Sequence, residues 1–443
     1  MTSDNESGAA GAPGEAPAAT AGPGRRSFLR GLAGGVAGGV VIGGAGGGLA
    51  GTAHADTQSD PALETATAAL EGRLPAVPFH GTRQAGILPA PKAATIVASF
   101  DVTADDKASL VDLFQTVTDR ARFLTAGGTP PPPTGTDQLT SDSGVLGPTV
   151  VPDGLTVTFG VGSTLFTGQY GLTGQLPKGL TPMKSFPNDD LDPAQTGGDL
   201  VLQLTAGHSD VVMHALRDFA KNTRGGMQIN WRIDGFSSPA RPAGTVPRNM
   251  LGFMDGIANP SVTSSAQMDS LVWVDPDSSG EPAWTAGGSY LVVRLIRMFV
   301  EFWDRVDISE QETMFGRRKD SGFPLDGDSL YAVPNYAADP TGDVIPLTAH
   351  MRLANPRTPQ TAASRILRRA WSYDRGLDQV GDLDMGLIFT CFQQDIKRQF
   401  EAVQTRLIGE PLVDYISPFG GGYFLALPGV VDSSDYYGRA LLE

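Results

Sequence analysis

Apolar and β-branched residues recur along this chain at two alternating periods. The first clear case is Thr95-Ile96-Val97-Ala98-Ser99-Phe100-Asp101-Val102, whose composition predicts a strand. Leu110, Leu113, Phe114, Val117, Ala121 and Leu124 then fall on one face at helical spacing, preceded by Thr103 and Asp106 in a near capping box. Strand signals return at residues 155–161 and 200–205, Ser209 is placed to cap a helix running to about Lys221, and residues 227–233 predict a fourth strand. The order β-α-β-β-α-β is that of a ferredoxin-like unit, two helices covering one face of an antiparallel sheet.

The same order repeats from Tyr290: a strand to Met298, a helix through Trp303 to about Phe315, strands near 369–373 and 387–392, a helix over 395–407 and a strand at 423–427. It is a repeat of pattern, without a repeat of sequence. Between its first helix and its second strand lies an insertion of about 50 residues, and unpatterned segments that long usually carry function. The expected class is α+β, with two ferredoxin-like domains at 93–240 and 241–443 that combine in a dimeric α+β barrel-type arrangement.

The chain before residue 93 reads differently. Residues 1–24 are Ala, Gly, Pro, Ser and acidic residues without periodicity, an expected disordered leader. Arg25-Arg26-Ser27-Phe28-Leu29-Arg30 follows, then a Gly-rich apolar run from Leu32 to Ala50 and a small-x-small site at Ala53-His54-Ala55. The run is too weakly hydrophobic for a span of roughly 20 strongly apolar residues. The paired arginines resemble the twin-arginine export signal. Residues 1–55 are therefore expected to be a removable address, the mature chain to lack a stable membrane span, and the product to be secreted, periplasmic or associated with the cell envelope. Residues 56–92 read as an arm or linker.

Composition narrows the chemistry. A formal net charge of −15 and no basic stripe exclude nucleic acid as an expected partner. The single cysteine, Cys391, lies in the apolar run Leu387-Ile388-Phe389-Thr390-Cys391-Phe392, which suits a buried structural thiol better than a nucleophile. Of five histidines, His54 leaves with the signal, His80 sits in the arm, and His208 and His214 are six apart and share no helical face for a zinc pair. No G-x-S-x-G elbow supports a hydrolase. That leaves His350, in Ala349-His350-Met351-Arg352-Leu353-Ala354-Asn355-Pro356-Arg357 near the end of the insertion. By itself such a histidine is more often structural than a ligand. In the same way, Asp255 of Gly252-Phe253-Met254-Asp255-Gly256 reads by itself as a turn carboxylate.

Taken together, these stretches resemble the dye-decolorising haem peroxidases, in particular the exported bacterial branch that includes an iron-uptake-associated peroxidase. The resemblance runs over most of residues 85–435. It rests on residues 249–260, the His350 segment, Arg365-Ile366-Leu367-Arg368-Arg369, Phe392-Gln393-Gln394-Asp395 and Gly421-Gly422-Tyr423-Phe424. It implies one haem b in the C-terminal domain, His350 as the iron ligand, Asp255 as the distal acid-base residue and Arg368 as the cation that stabilises charge as the O–O bond breaks. Gly256, Ile257 and Ala258 would pass along one side of the haem. Asn355, Pro356 and Arg357 would lie along the other, with Arg357 able to pair with a propionate.

Asp395 is the candidate carboxylate behind His350, with helix capping as its ordinary alternative. Trp371 and Tyr373 are candidate electron-transfer residues near the surface, with core packing as theirs, and Trp231 and Tyr423 stand behind them. Gly316-Arg317-Arg318-Lys319 is a second basic group, equally readable as a solvated face. The implied partners are hydrogen peroxide and small aromatic reductants, phenolics or dyes, with iron-uptake components and a homo-oligomer left open. A haem-binding component that releases iron from haem is the competing function, and a haem-free scaffold a more distant one.

Overall fold

The computed structural model describes residues 72–133 and 140–443. The export signal and the cleavage site after Ala55 lie outside the described residues. All eight expected strands are present: β1 (Ala94–Val102), β2 (Thr156–Gly162), β3 (Leu200–Ala206), β4 (Met227–Phe236), β5 (Ser289–Met298), β6 (Leu367–Leu377), β7 (Leu383–Gln393) and β8 (Ile416–Ala426). They form a closed barrel in the order β1-β3-β2-β8-β5-β7-β6-β4. Each half keeps the ferredoxin-like order, β4-β1-β3-β2 and β8-β5-β7-β6, and the halves join twice. β2 pairs with β8 through Gly160–Ala426, Val161–Leu425 and Gly162–Phe424, and β4 meets β6 at Phe236–Ser372.

The period-two alternation of the strands sorts their side chains between two environments. Val97, Val201, Leu291, Val293, Ile388 and Phe424 fill the barrel. Ile96, Ala98 and Phe100 face outward against Leu110, Phe114 and Val117 of helix α1 (Lys107–Ala126) and Val211, Ala215 and Phe219 of α2 (Ser209–Asn222). Asp106 is itself the N-cap of α1, accepting from the Ser109 amide at 2.8 Å. Ser209 is the first helical residue of α2 rather than its cap; His208 holds that position without a side-chain capping bond.

The second half is covered differently, and this makes room for a site. Its expected first helix is broken into Val300–Trp303 and α3 (Ile308–Phe315) because Asp307 caps a new start, accepting from the Ser309 amide at 2.8 Å. Its second begins with a π-turn at Lys397–Glu401 before α4 (Ala402–Arg406). With the helices shortened and displaced, the outward residues of β5, β6 and β7, among them Ile296, Arg368, Leu387 and Phe389, line a cavity instead of a filled core.

The arm is part of the barrel where it is described. Ile87 is buried, and the Gln84 amide donates to the carbonyls of Phe159 (2.7 Å) and Leu427 (2.8 Å) while accepting from the Phe159 amide (2.8 Å). One side chain thus staples the β2–β8 join. No helix among the described residues is long and apolar enough to cross a membrane.

Candidate active site

The loop before β5 owes its shape to two glycines. Gly252 (φ 84°) and Gly256 (φ 87°) both occupy the left-handed region, where a side chain is strained, and they frame Asp255. Asn249 caps the turn through its Oδ1, which accepts from Leu251 (3.1 Å) and Phe253 (3.2 Å). Asn259 then fastens the loop to β6: its Oδ1 accepts from the Arg368 amide at 3.0 Å, and its Nδ2 donates to the Arg368 carbonyl at 3.1 Å. The result is an Asp255 carboxylate 3.2 Å from the Arg368 guanidinium, both part-exposed to the cavity.

His350 opens a short helix, His350–Ala354, and its ring lines the same cavity against Phe315. The segment that carries it is locked by Asp339, whose carboxylate accepts from the amides of Asp343 (2.8 Å) and Ile345 (3.0 Å) and pairs with Arg352 at 3.1 Å. The backbone bonds, above all that of Ile345, hold the Asp339 pKa below the usual carboxylate value. His350 Nδ1 lies 2.8 Å from the buried Glu410 carboxylate, and Nε2 has no hydrogen-bond partner among the described residues. Burial opposes charging of this ring, but the charge and hydrogen bond of Glu410 outweigh it, so its pKa is raised above 6.5.

Asp255, Ile257, Ala258, His350, Asn355, Arg357 and Arg368 therefore meet around one cavity of about 250 Å³. Gly256 and Pro356 shape the chain beside it without lining it. Asp395 is not the partner of His350: it accepts from the Arg398 amide at 2.9 Å and caps the π-turn. Glu410, 60 residues from His350, takes the role instead. No local pattern marks it beyond an isolated acid in Ile408-Gly409-Glu410-Pro411-Leu412. Trp371 and Tyr373 are buried rather than near the surface, on the barrel side of β6, opposite the face that carries Arg368. The Trp371 indole donates to the Lys92 carbonyl at 2.9 Å, and the Tyr373 hydroxyl is 3.3 Å from Asp384. Of the second basic group only Arg317 reaches the cavity; Arg318 and Lys319 bond to Gly327 and Gln311. Cys391 is buried and its thiol pKa is pushed up by that burial, as an inert structural thiol requires.

The donor set fits a haem. An imidazole oriented at Nδ1 by a carboxylate offers Nε2 to iron. Leu251, Ile257, Ile296, Leu387 and Phe389 give apolar walls, and Arg317, Arg357 and Arg368 line the same cavity as cations able to pair with an anionic group.

Family models for the Dyp-type peroxidase N-terminal and C-terminal domains match residues 84–237 and 246–431. The chain belongs to the Dyp-type peroxidase family. It is a haem peroxidase, an oxidoreductase whose substrates are hydrogen peroxide and a reductant. Among curated proteins, this peroxidase is 49% identical over 395 residues to the deferrochelatase of Escherichia coli (strain K12), covering 88% of this chain and 92% of that protein. A Dyp-type peroxidase from Cellulomonas bogoriensis superposes with a TM-score of 0.74 at 33% identity, covering 83% of this chain and 98% of that one. The oxyferrous complex of DtpA from Streptomyces lividans gives 0.74 at 32% identity with the same coverage.

Two expectations follow for the haem-binding side and the loop. In the peroxidase freed of haem, iron must displace any proton on His350, so haem affinity should fall as pH drops through the raised pKa, by up to about tenfold per unit. Glu410→Gln should move that fall to lower pH and weaken haem binding roughly 10- to 100-fold, read by spectral titration between pH 5 and 8.5. A pH profile identical to the native one would count against the Glu410 assignment. Asn259→Ala should keep haem but slow the reaction with peroxide about 10- to 100-fold, because Asp255 loses its register against Arg368.

Proposed function

We propose that this chain is an exported peroxidase that oxidises dyes, phenolics or similar small aromatic compounds by one-electron steps. The observation that carries the reading is the Asp255–Arg368 pair, 3.2 Å apart, sharing a cavity with a carboxylate-backed His350. The haem, when bound, supplies the iron and the oxidising equivalents taken from peroxide. Asp255 accepts the proton from one peroxide oxygen and returns it to the oxygen that leaves as water. Arg368 holds that carboxylate in position and donates to the departing oxygen as negative charge grows there. The net exchange is one peroxide reduced to two waters while two reductant molecules each lose one electron and one proton.

The deferrochelatase named among the relatives favours a second reading, release of iron from haem. One experiment separates the two. Holoprotein is mixed with an anthraquinone dye, with and without peroxide, and bleaching, free iron and metal-free porphyrin are followed together. Peroxide-dependent bleaching that disappears in Asp255→Asn supports the peroxidase reading. Stoichiometric metal-free porphyrin without bleaching overturns it in favour of iron release. Export is supported by the Arg25-Arg26 signal. Replacement of both arginines by lysine should leave the protein in the cytoplasm, and unchanged export would dismiss the twin-arginine route.

A further inference from the structure

The guanidinium of Arg369 is buried without a countercharge. The residue is 5% exposed and has no ion-pair partner among the described residues. Burial pulls its pKa down to about 10, and its Nε has no hydrogen-bond partner. A cation buried alone is costly, and an apolar side chain of similar volume is often no worse in such a place. The guanidinium makes two hydrogen bonds, both to backbone carbonyls. Nη1 donates to the Arg368 carbonyl at 2.9 Å, and Nη2 donates to the Leu88 carbonyl in the arm.

Arg368 needs such a hold because the sheet gives it little on one side. β6 meets β4 at the single pair Phe236–Ser372, so the residues before Ser372 have no β4 partner. The amide and carbonyl of Arg368 bond instead to Asn259, at 3.0 and 3.1 Å. The arm lies along the same stretch: Trp371, which shares the barrel-facing side of β6 with Arg369, donates from its indole to the Lys92 carbonyl at 2.9 Å. Arg369 is itself fixed on the sheet by Thr390, whose hydroxyl donates to the Arg369 carbonyl. The Arg368 carbonyl therefore receives two donors: Asn259 Nδ2 from the loop that carries Asp255, and Arg369 Nη1 from the barrel. An acceptor held by two groups on different elements fixes the peptide plane, and with it the point from which the Arg368 side chain starts toward Asp255 at 3.2 Å.

We propose that Arg369 is a positioning residue for the reaction with peroxide: by holding the Arg368 carbonyl against the arm, it fixes the peptide from which the Arg368 guanidinium reaches Asp255. That role rests on the site read above, in which Arg368 is the cation beside Asp255. Arg369 does not line the cavity and acts only through its neighbour. A guanidinium suits the task because its rigid planar fork can serve two acceptors on different segments at once. The arm gains a use as well. Tied at Gln84, Leu88 and Lys92, it is a fixed point outside the sheet against which Arg368 is set.

The test uses the haem-loaded protein with two readouts beside the peroxide rate: fluoride affinity and amide hydrogen exchange in the arm. Fluoride binds ferric haem and accepts a hydrogen bond from a nearby cation, so its dissociation constant reports whether Arg368 is in place. Arg369→Met should weaken fluoride binding roughly fivefold and slow the reaction with peroxide roughly tenfold. Arg368→Met should weaken fluoride binding roughly 10- to 100-fold. Adding Arg369→Met to Arg368→Met should change fluoride affinity by less than about twofold, because the first residue acts through the second. Exchange between Gly86 and Lys92 should quicken in Arg369→Met and stay native in Arg368→Met. Circular dichroism and haem content establish that each variant is folded and loaded. If Arg369→Met does not load haem, Arg369→Lys takes its place; with one ammonium for two carbonyls, it should show the same pattern at about two- to threefold. A lower melting temperature with native fluoride affinity and native peroxide rate would make Arg369 a clamp on the arm only and overturn the proposal. Losses that multiply in the double variant, or unchanged exchange in the arm, would overturn it too. Native fluoride affinity in Arg368→Met would overturn the placing of Arg368 beside the reacting oxygens, and the role of Arg369 with it.

Discussion

Replacing Asp255 by Asn is expected to slow the reaction of the ferric protein with hydrogen peroxide by about 10²- to 10⁴-fold, with haem content unchanged. The size follows from what is removed. Arg368 and the cavity remain, so peroxide can still enter, but no group stands 3.2 Å from the guanidinium to take a proton from one oxygen and deliver it to the other. An amide in the same place keeps the shape and the contact to Arg368 while losing the basic function. Rapid mixing with peroxide, followed in the haem absorption bands, gives the second-order rate constant directly. A rate within a factor of about three of native would reassign the proton transfer to another group. Asp255→Ala with added formate is a useful companion, since partial recovery would show that a carboxylate at this position is what counts.

His350→Ala should lose haem to a greater extent than Glu410→Gln, beyond the roughly 10- to 100-fold expected for the carboxylate behind the ligand. The ring does more than occupy space: with Nδ1 held at 2.8 Å by Glu410, Nε2 is the only ring nitrogen available to iron. Removing it also leaves the Glu410 carboxylate, only 3% exposed, without its partner. A buried unpaired charge is destabilising, so the apoprotein should melt at lower temperature as well. His350→Ala with Glu410→Gln should recover part of that melting temperature without recovering haem. External imidazole should restore binding in part. If haem content and spectrum are unchanged in His350→Ala, the ligand assignment fails.

Much of this molecule could be read from the chain before its structure. The eight strands follow from β-branched runs whose alternate residues must face either the barrel or the outer layer, a demand local enough to show in any stretch of eight residues. Asp255 and His350, each ordinary when read alone, stood out only through the resemblance of the segments around them to the family, residues 249–260 and 349–357. What escaped was nonlocal. Glu410 reaches His350 across 60 residues of chain, and only folding brings the two together. Asp395 is the candidate the sequence suggests because a carboxylate at a helix start is the same in sequence whether it caps or orients a ligand. The break before α3 was written in Asp307 and Ser309 but hidden by the apolar residues on either side, which suit one long helix as well as two short ones. Trp371 and Tyr373 show the limit of proximity in sequence: three and five residues from Arg368, they lie on the other side of the sheet because a strand turns alternate residues to opposite faces.

The two joins of the barrel have a consequence for how it breathes. Within each half, neighbouring strands share long registers, seven pairs for β1 with β3 and eight for β5 with β7, whereas the halves share three pairs at one join and a single pair at the other. Ring closure therefore depends on its two shortest contacts, one of them reinforced by Gln84. Thermal opening should begin there, parting the halves while each sheet stays intact. The His350–Glu410 and Asp255–Arg368 pairs lie wholly within the second half, so the chemistry is insulated from the seams at which the molecule is most ready to come apart.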